Sequence, residues 1–405
     1  MRAGRRVVIT GWGAVTPLGL GIETLLDRWL DREVGIQDGL GRCPDFDPAD
    51  LLSKKELRRT ERFTQFALVA ADQALAQAGW DGGTPVDPER VGCVIGTAFG
   101  GIASIEEQHI ALRETGKASP LGISLAIHNA PCATAALRWG LRGPSRAVAS
   151  ACATGADSLG EAARMIAAGD ADAMLAGGTD ACLSTLGLTG IAVAGGSSRS
   201  GISRPFDARR DGMIMAEGAG MVVLEAAEVA EGRGAEALGE LMGYGATTDA
   251  HHLTAPDPNG GGAARAIQRA LEDAGVLPEE LDYVNAHGTS TPLNDRAETM
   301  AIKAALGEVA GDVPVSSLKS VVGHLNGAAG TVETAVTVAA LRRGVAPPTV
   351  GYAEPEEGLD LDYVGDGPRP LRPRGANGRA YGISNSFGWG GHNAVLCVGA
   401  PRNGG

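Results

Sequence analysis

The chain has no CxxC pair. Its six cysteines, Cys43, Cys93, Cys132, Cys152, Cys182 and Cys397, stand far apart, so neither a zinc site nor a disulfide framework is indicated and a reducing cytoplasm is expected. No apolar run approaches the length of a membrane span. Net positive charge is also missing: 35 Lys and Arg face 48 Asp and Glu, a balance of −13, which argues against general nucleic-acid affinity. No residue-level repeat is visible, and the 61 glycines are spread through the chain rather than gathered in a linker. Glycine so dispersed serves tight turns and close packing of helices on sheets. Arg5-Arg6 superficially resembles a twin-arginine signal, but Val7-Val8-Ile9-Thr10 behind it is only a strand's worth of apolar residues.

What is present is an ordinary soluble composition, 44% apolar and 20% charged over 405 residues. That length suits two domains or one large unit built from two halves. Buried strands are predicted at 7–10, 91–96, 173–178 and 219–224, then at 238–245, 283–286, 313–316 and 394–398. Helices are predicted at 21–29, 51–79, 263–274 and 328–341, the second of these opening on a densely basic stretch. Such alternation implies an α/β fold with a mostly parallel sheet covered on both faces. A second half starting near Ala237 repeats the strand-first order, so units 1–236 and 237–405 are expected. Residues 205–212 read as a polar loop and 382–393 as a loop rich in glycine and asparagine. The 328–341 helix is apolar except for Glu333, so it should be central and that carboxylate needs a partner.

Three residues stand out chemically. Cys152, in Val148-Ala149-Ser150-Ala151-Cys152-Ala153-Thr154-Gly155-Ala156-Asp157, falls between a short strand and the first turn of an alanine-rich helix. Free backbone N–H groups and the helix dipole favour a thiolate there, the nucleophilic form. The plainer alternative is a small buried hydrophobe, as most free cysteines are. His287 and His324 each follow a strand, among glycines and small hydroxyl residues where backbone can approach a ligand closely. In open α/β sheets chemistry collects at the carboxyl ends of strands, so the three residues can converge.

Four motifs extend this reading. They are Ala151-Cys152-Ala153-Thr154-Gly155, Asn285-Ala286-His287-Gly288-Thr289, Lys319 to His324 with Gly327-Ala328-Ala329-Gly330, and Asn385-Ser386-Phe387-Gly388-Trp389-Gly390-Gly391. In this order and spacing the chain resembles a β-ketoacyl-ACP synthase of the thiolase superfamily, of the elongating synthase II and type II polyketide ketosynthase kind, over nearly its whole length. The resemblance implies a layered αβαβα fold of two similar halves and an acyltransferase that uses no metal or other cofactor. Its substrates ride on the phosphopantetheine of acyl carrier protein.

Residue roles follow from the resemblance. Cys152 takes the acyl chain as a thioester, while His287 and His324 stabilise the enolate formed as malonyl-ACP loses CO₂. Lys319 and Glu333 hold the histidines. Backbone N–H groups of Cys152 and Trp389 form the oxyanion hole, with Phe387 and Gly388 in the gating segment. Thr289 and Thr291 line the pantetheine tunnel. Phe99, Ile191 and Leu121 are expected in the acyl pocket, where they depart from the family pattern, as Trp389 and His392 do at the gate. Lys55, Arg58 and Arg59, helped by Lys117, are expected to dock the carrier. A homodimer, or a heterodimer with a ketosynthase-like chain-length factor, is implied, without nucleic acid or membrane partners. The features around 211–218 and 294–299 look more like polyketide ketosynthases than fatty-acid enzymes. Two other readings remain: a non-catalytic chain-length partner, which usually lacks the cysteine, and a CoA-dependent thiolase, which needs a second cysteine near the C-terminus.

Overall fold

Small and β-branched residues fill β1 (Val7–Thr16), and all ten of its positions are buried. A strand of this kind fits only between two other covered strands. The computed structural model describes residues 4–80, 83–372, 374–375 and 378–401. Beside β1 lie β2 (Gly19–Leu20), β3 (Val91–Gly96), β4 (Ser145–Arg146), β5 (Ala173–Asp180) and β6 (Gly218–Ala226), and the first sheet runs β4-β3-β5-β6-β1 with β2 folded back on β1. The second half contributes β7 (Gly239–Thr248), β8 (Tyr283–Asn285) and β9 (Val315–Ser316), a small ribbon of β10 (Val345–Ala346) and β11 (Arg369–Pro370), then β12 (Arg379–Gly388) and β13 (His392–Pro401). Its sheet runs β7-β13-β12-β8-β9. Val8 and Ile9 pair with Glu240 and Gly239 and join the two sheets edge to edge.

Two helices, Thr154–Ala168 and Ala329–Arg343, lie between the sheets and against each other. Glycine makes that approach possible. A Cβ on Gly155 would sit 2.8 Å from the Gly327 carbonyl oxygen, and one on Gly330 would sit 2.6 Å from the Ala156 nitrogen. The apolar core between the sheets draws on both halves, from Leu159 and Ile166 to Val332 and Val336. The Arg62–Gln77 helix covers the outer face of the first sheet and the Gly261–Ala274 helix that of the second. The result is helix, sheet, helix, sheet, helix, the αβαβα layering implied by the resemblance. Every residue of the central helix from Ala329 to Leu341 is buried.

Three local expectations are corrected. The sheets are not mostly parallel: β1, β5, β6, β7, β12 and β13 meet antiparallel, and parallel pairing is confined to the β3, β4, β8 and β9 wings. Periodicity marks buried strands but carries no strand direction. The 51–79 region is not one helix. Ser53 and Glu56 form a capping box that starts Lys54–Leu57, and the Glu61 side chain caps a new start at Arg62. Residues 382–388 are the end of β12, paired in register with β13, so only a tight turn at Trp389-Gly390-Gly391 remains of the expected loop. The 205–212 stretch is a loop as expected, with Phe206 and Asp207 fully buried and Phe206 stacked on Tyr363 at 4.4 Å. Arg5 and Arg6 are held by Asp172, Glu228 and Glu240. No helix among the described residues is long and apolar enough to cross a membrane.

Candidate active site

Three backbone turns deliver the site, and each carries a non-glycine residue with positive φ: Ala151 (51°), Ser290 (65°) and Asn326 (53°). Such strained positions persist where surrounding structure over-determines them. Ala151 precedes Cys152, which lies in a 3₁₀ turn feeding the Thr154–Ala168 helix. Ser150 fixes that turn. Its N–H donates to the Thr154 hydroxyl at 2.9 Å, and its own hydroxyl donates to Asp157. A Cβ on Gly388 would lie 2.6 Å from the Ser150 carbonyl and 3.2 Å from the Cys152 nitrogen, so glycine lets the end of β12 close over the nucleophile.

The Cys152 sulfur and the ring nitrogens of His287 and His324 lie within 4.8 Å of one another. They share a cavity of about 400 Å³ with Thr289, Thr291, Phe387, Gly388 and Trp389. The two imidazoles meet edge to face at 5.3 Å, and Phe387 stands 5.7 Å from His287. Thr289 and Thr291 exchange a 2.9 Å hydroxyl contact on the cavity wall. The expected catalytic and tunnel residues therefore come together.

The hydrogen-bond partners set the tautomers. The Asn326 backbone N–H donates to His324 Nδ1 at 3.2 Å, which puts the ring proton on Nε2. Lys319 Nζ lies 3.3 Å from His287 Nδ1 and donates to Glu333 at 2.5 Å, so it is a charged donor and His287 also carries its proton on Nε2. Burial first, and the Lys319 charge second, push both histidines well below their ordinary range, and they are neutral. His324 Nε2 is buried without a partner among the described residues. A metal-ligating histidine donates its other N–H to an acceptor. Here both remaining nitrogens face donors, so the cluster is built to present two N–H groups rather than to hold a metal.

Burial pushes the Cys152 thiol up to about 11, against the opposing pull of Lys319 and the Trp389 N–H. A helix N-terminus contributes at most ~2 kcal/mol, about one and a half pKa units, so the helix-start address alone does not offset the rise caused by burial. Iodoacetamide alkylation of Cys152 should therefore climb about tenfold per pH unit between pH 6 and 9. A plateau reached below pH 8 would show a thiolate at rest. The Trp389 and Cys152 N–H groups also oppose that rise.

Sequence reasoning missed the supports. Glu298 accepts the backbone N–H groups of His287 and Gly288 at 2.7 Å each and the Asn385 side chain at 3.0 Å, and burial pushes it up to about 7. The only signal was an acidic residue shortly after the His287 motif. Phe99 and Ile191 are found in one apolar cluster with Cys182, Met213, Met215 and Trp389. Leu121 is not there: it is 37% exposed at the start of the Gly122–Ala126 helix, beside exposed Ile123 and Ile127. Within its own chain it lies on the surface rather than in that cluster. Lys55, Arg58 and Arg59 are exposed around the short Lys54–Leu57 helix, and Lys117 is exposed on a separate loop. Cys397 is buried in the outer core of the second half with Ile383 and Val395, away from the cavity.

Family models agree with this geometry. Residues 41–230 match the β-ketoacyl synthase N-terminal domain and residues 238–353 the β-ketoacyl synthase C-terminal domain. The chain belongs to the β-ketoacyl synthase family. A 3-oxoacyl-[acyl-carrier-protein] synthase 2 of Synechocystis sp. is 41% identical over 415 residues, covering 97% of each chain. A ketosynthase solved in complex with its type II PKS acyl-carrier protein superposes with a TM-score of 0.88 at 30% identity, over 98% of this chain and 100% of that one. The ishigamide ketosynthase/chain length factor gives 0.89 at 31%, over 99% and 100%. The synthase is an acyltransferase that performs a Claisen-type condensation on carrier-bound substrates.

Proposed function

We propose that the synthase loads an acyl chain onto Cys152 and extends it with a malonyl unit decarboxylated against His287 and His324. The observation that carries this reading is the convergence of one thiol and two neutral Nε2–H donors in a single cavity. The Cys152 sulfur attacks the acyl carbonyl as its proton is lost, and the oxyanion is held by the Cys152 and Trp389 N–H groups. The C–S bond to the carrier then breaks, so that its pantetheine sulfur leaves and takes up a proton. Malonyl-ACP then places its thioester oxygen on the two histidines. As CO₂ leaves, the bonding pair becomes an enolate held by those donors. The enolate carbon attacks the Cys152 thioester, and collapse of the adduct returns the sulfur and releases β-ketoacyl-ACP. Lys319 and Glu333, each about 2% exposed, form the ion pair that fixes His287. Intact-protein mass spectrometry of an acyl adduct, read beside CO₂ release, tests the assignment.

The partner is an acyl carrier protein, approached through Lys55, Arg58 and Arg59 with Lys117. Carriers are acidic and this chain is acidic overall, so a local basic patch is needed for steering. Reversing charge at Arg58 and Arg59 should raise KM for carrier-bound substrates several-fold and spare small thioester mimics. Equal loss on both would mean the cluster is structural. Exposed Ile123, Ile127 and Leu137 support a dimer, with a second copy or a chain-length factor. The setting is cytoplasmic, and units 1–236 and 237–405 carry the cysteine and the histidines respectively.

The pathway we favour is polyketide assembly, with fatty-acid elongation as the second reading that the synthase 2 relatives support. Phe99 narrows the acyl channel beside Ile191, which should disfavour long flexible saturated chains and favour short or flat conjugated ones. Because one methylene is worth only ~1–3 kcal/mol, the preference is graded. Phe99→Ile should raise transfer of long saturated acyl groups to Cys152. If the parent enzyme takes long saturated chains as readily as short or conjugated ones, the pocket reading fails.

A further inference from the structure

Asp180, at the end of β5, is fully buried, yet the reaction outlined above gives it no part. Its carboxylate accepts four hydrogen bonds. Oδ1 takes the Thr97 hydroxyl at 2.7 Å and the Phe99 N–H at 3.0 Å, and Oδ2 takes the Ala98 N–H at 3.1 Å and the Gly327 N–H at 2.6 Å. Only an ionised carboxylate offers acceptors to four donors and no proton of its own. Three of these donors belong to the turn after β3, which sets Phe99 against the cluster of Cys182, Ile191, Met213 and Met215. The fourth belongs to the segment just past His324. A Cβ on Gly327 would lie 2.6 Å from Asp180 Oδ2, so glycine there is what lets the N–H reach the carboxylate.

A second link runs beside the first. Asn326, with φ at 53°, donates its backbone N–H to His324 Nδ1 and its side-chain N–H to the Cys182 sulfur at 3.2 Å. The wall of the acyl channel and the tautomer of His324 are thus set by neighbouring residues of one turn.

We propose that Asp180 is a positioning residue that ties the acyl-channel wall at Phe99 to the turn holding His324, so that acyl-chain selection and decarboxylation depend on one carboxylate. This rests on the assignment of His324 as a decarboxylation donor and of Phe99 as channel wall. Packed hydrogen-bonded units of this kind shift together rather than deform piecemeal.

The test separates three half-reactions in Asp180→Asn, which sets an amide N–H against the donors. CO₂ release from malonyl-ACP should fall at least tenfold. The ratio of long saturated to short acyl transfer should change at least threefold. Alkylation of Cys152 by iodoacetamide should not fall, because the Ser150–Asp157 contacts that shape its turn are untouched and losing the Asp180 charge removes one influence that raises the thiol. If Asp180→Asn does not fold, Thr97→Val removes one donor from the channel side only and should still shift the acyl-length ratio. Wild-type CO₂ release and acyl-length ratio in Asp180→Asn, or in Thr97→Val an unchanged ratio, would overturn the proposal. So would a parallel fall of all three half-reactions with the folded fraction. His324→Ala measured alongside keeps the failures apart: normal CO₂ release there refutes the histidine assignment, whereas slow release there with normal Asp180→Asn refutes the role of Asp180 alone.

Discussion

His287→Ala and His324→Ala are each expected to slow CO₂ release from malonyl-ACP by ~10²–10³, the usual effect of removing one preorganised donor from a developing oxyanion. Each Nε2–H is aimed by a buried partner on its Nδ1, Lys319 for His287 and the Asn326 N–H for His324. Neither ring can rotate its proton away without leaving a buried donor unpaired. Burial and the Lys319 charge hold both rings well below the ordinary histidine range, so both are neutral across physiological pH. Decarboxylation should therefore show no inflection near pH 6.5 when CO₂ release is followed from pH 5.5 to 8.5. Loss of rate on the alkaline side of 6.5 would mean that an imidazolium is required. The stability consequence has a definite sign. A depressed folded pKa means that unfolded histidines bind more protons, so their contribution is intact above about 6.5 and is lost as pH falls below it.

Cys152→Ala should abolish acyl-enzyme formation and condensation outright, because no second thiol among the described residues lines the cavity. Alanine fits the turn: Ala151 and Ala153 flank it, and the Ser150, Thr154 and Asp157 contacts that shape it do not use the sulfur. The variant should remain folded and should still release CO₂ from malonyl-ACP, since the two donors are unchanged. Stopped-flow transfer from acyl-ACP and a CO₂ assay on one preparation would show both. A variant that still accepts acyl groups covalently and elongates them would place the nucleophile elsewhere.

Much of this was readable from the chain before its structure. Residues 7–10 and 173–178 lie on strands, as short apolar runs bounded by turn residues are expected to. Glu333 announced a buried partner by being the one charge in an apolar helix, and that partner is Lys319. Direction was not readable: β12 and β13 pair antiparallel as a hairpin, and their glycine- and asparagine-rich ends look like loop in sequence. The supports of the site were equally silent. Asp180 accepts backbone N–H groups of Ala98, Phe99 and Gly327, all distant in sequence, which no local pattern encodes. Leu121 was unreadable for a related reason: no local pattern tells which way so short a helix faces, and Leu121, just before Gly122–Ala126, is exposed on its own chain.

The most direct measurement is peptide mapping of the wild-type chain after incubation with a radiolabelled acyl-ACP. The six cysteines give a built-in control, since Cys43, Cys93, Cys132, Cys182 and Cys397 are all buried. A single acyl thioester on the peptide containing Cys152 is the predicted result. Label on any other cysteine, or none on Cys152 under conditions where condensation proceeds, would contradict the account.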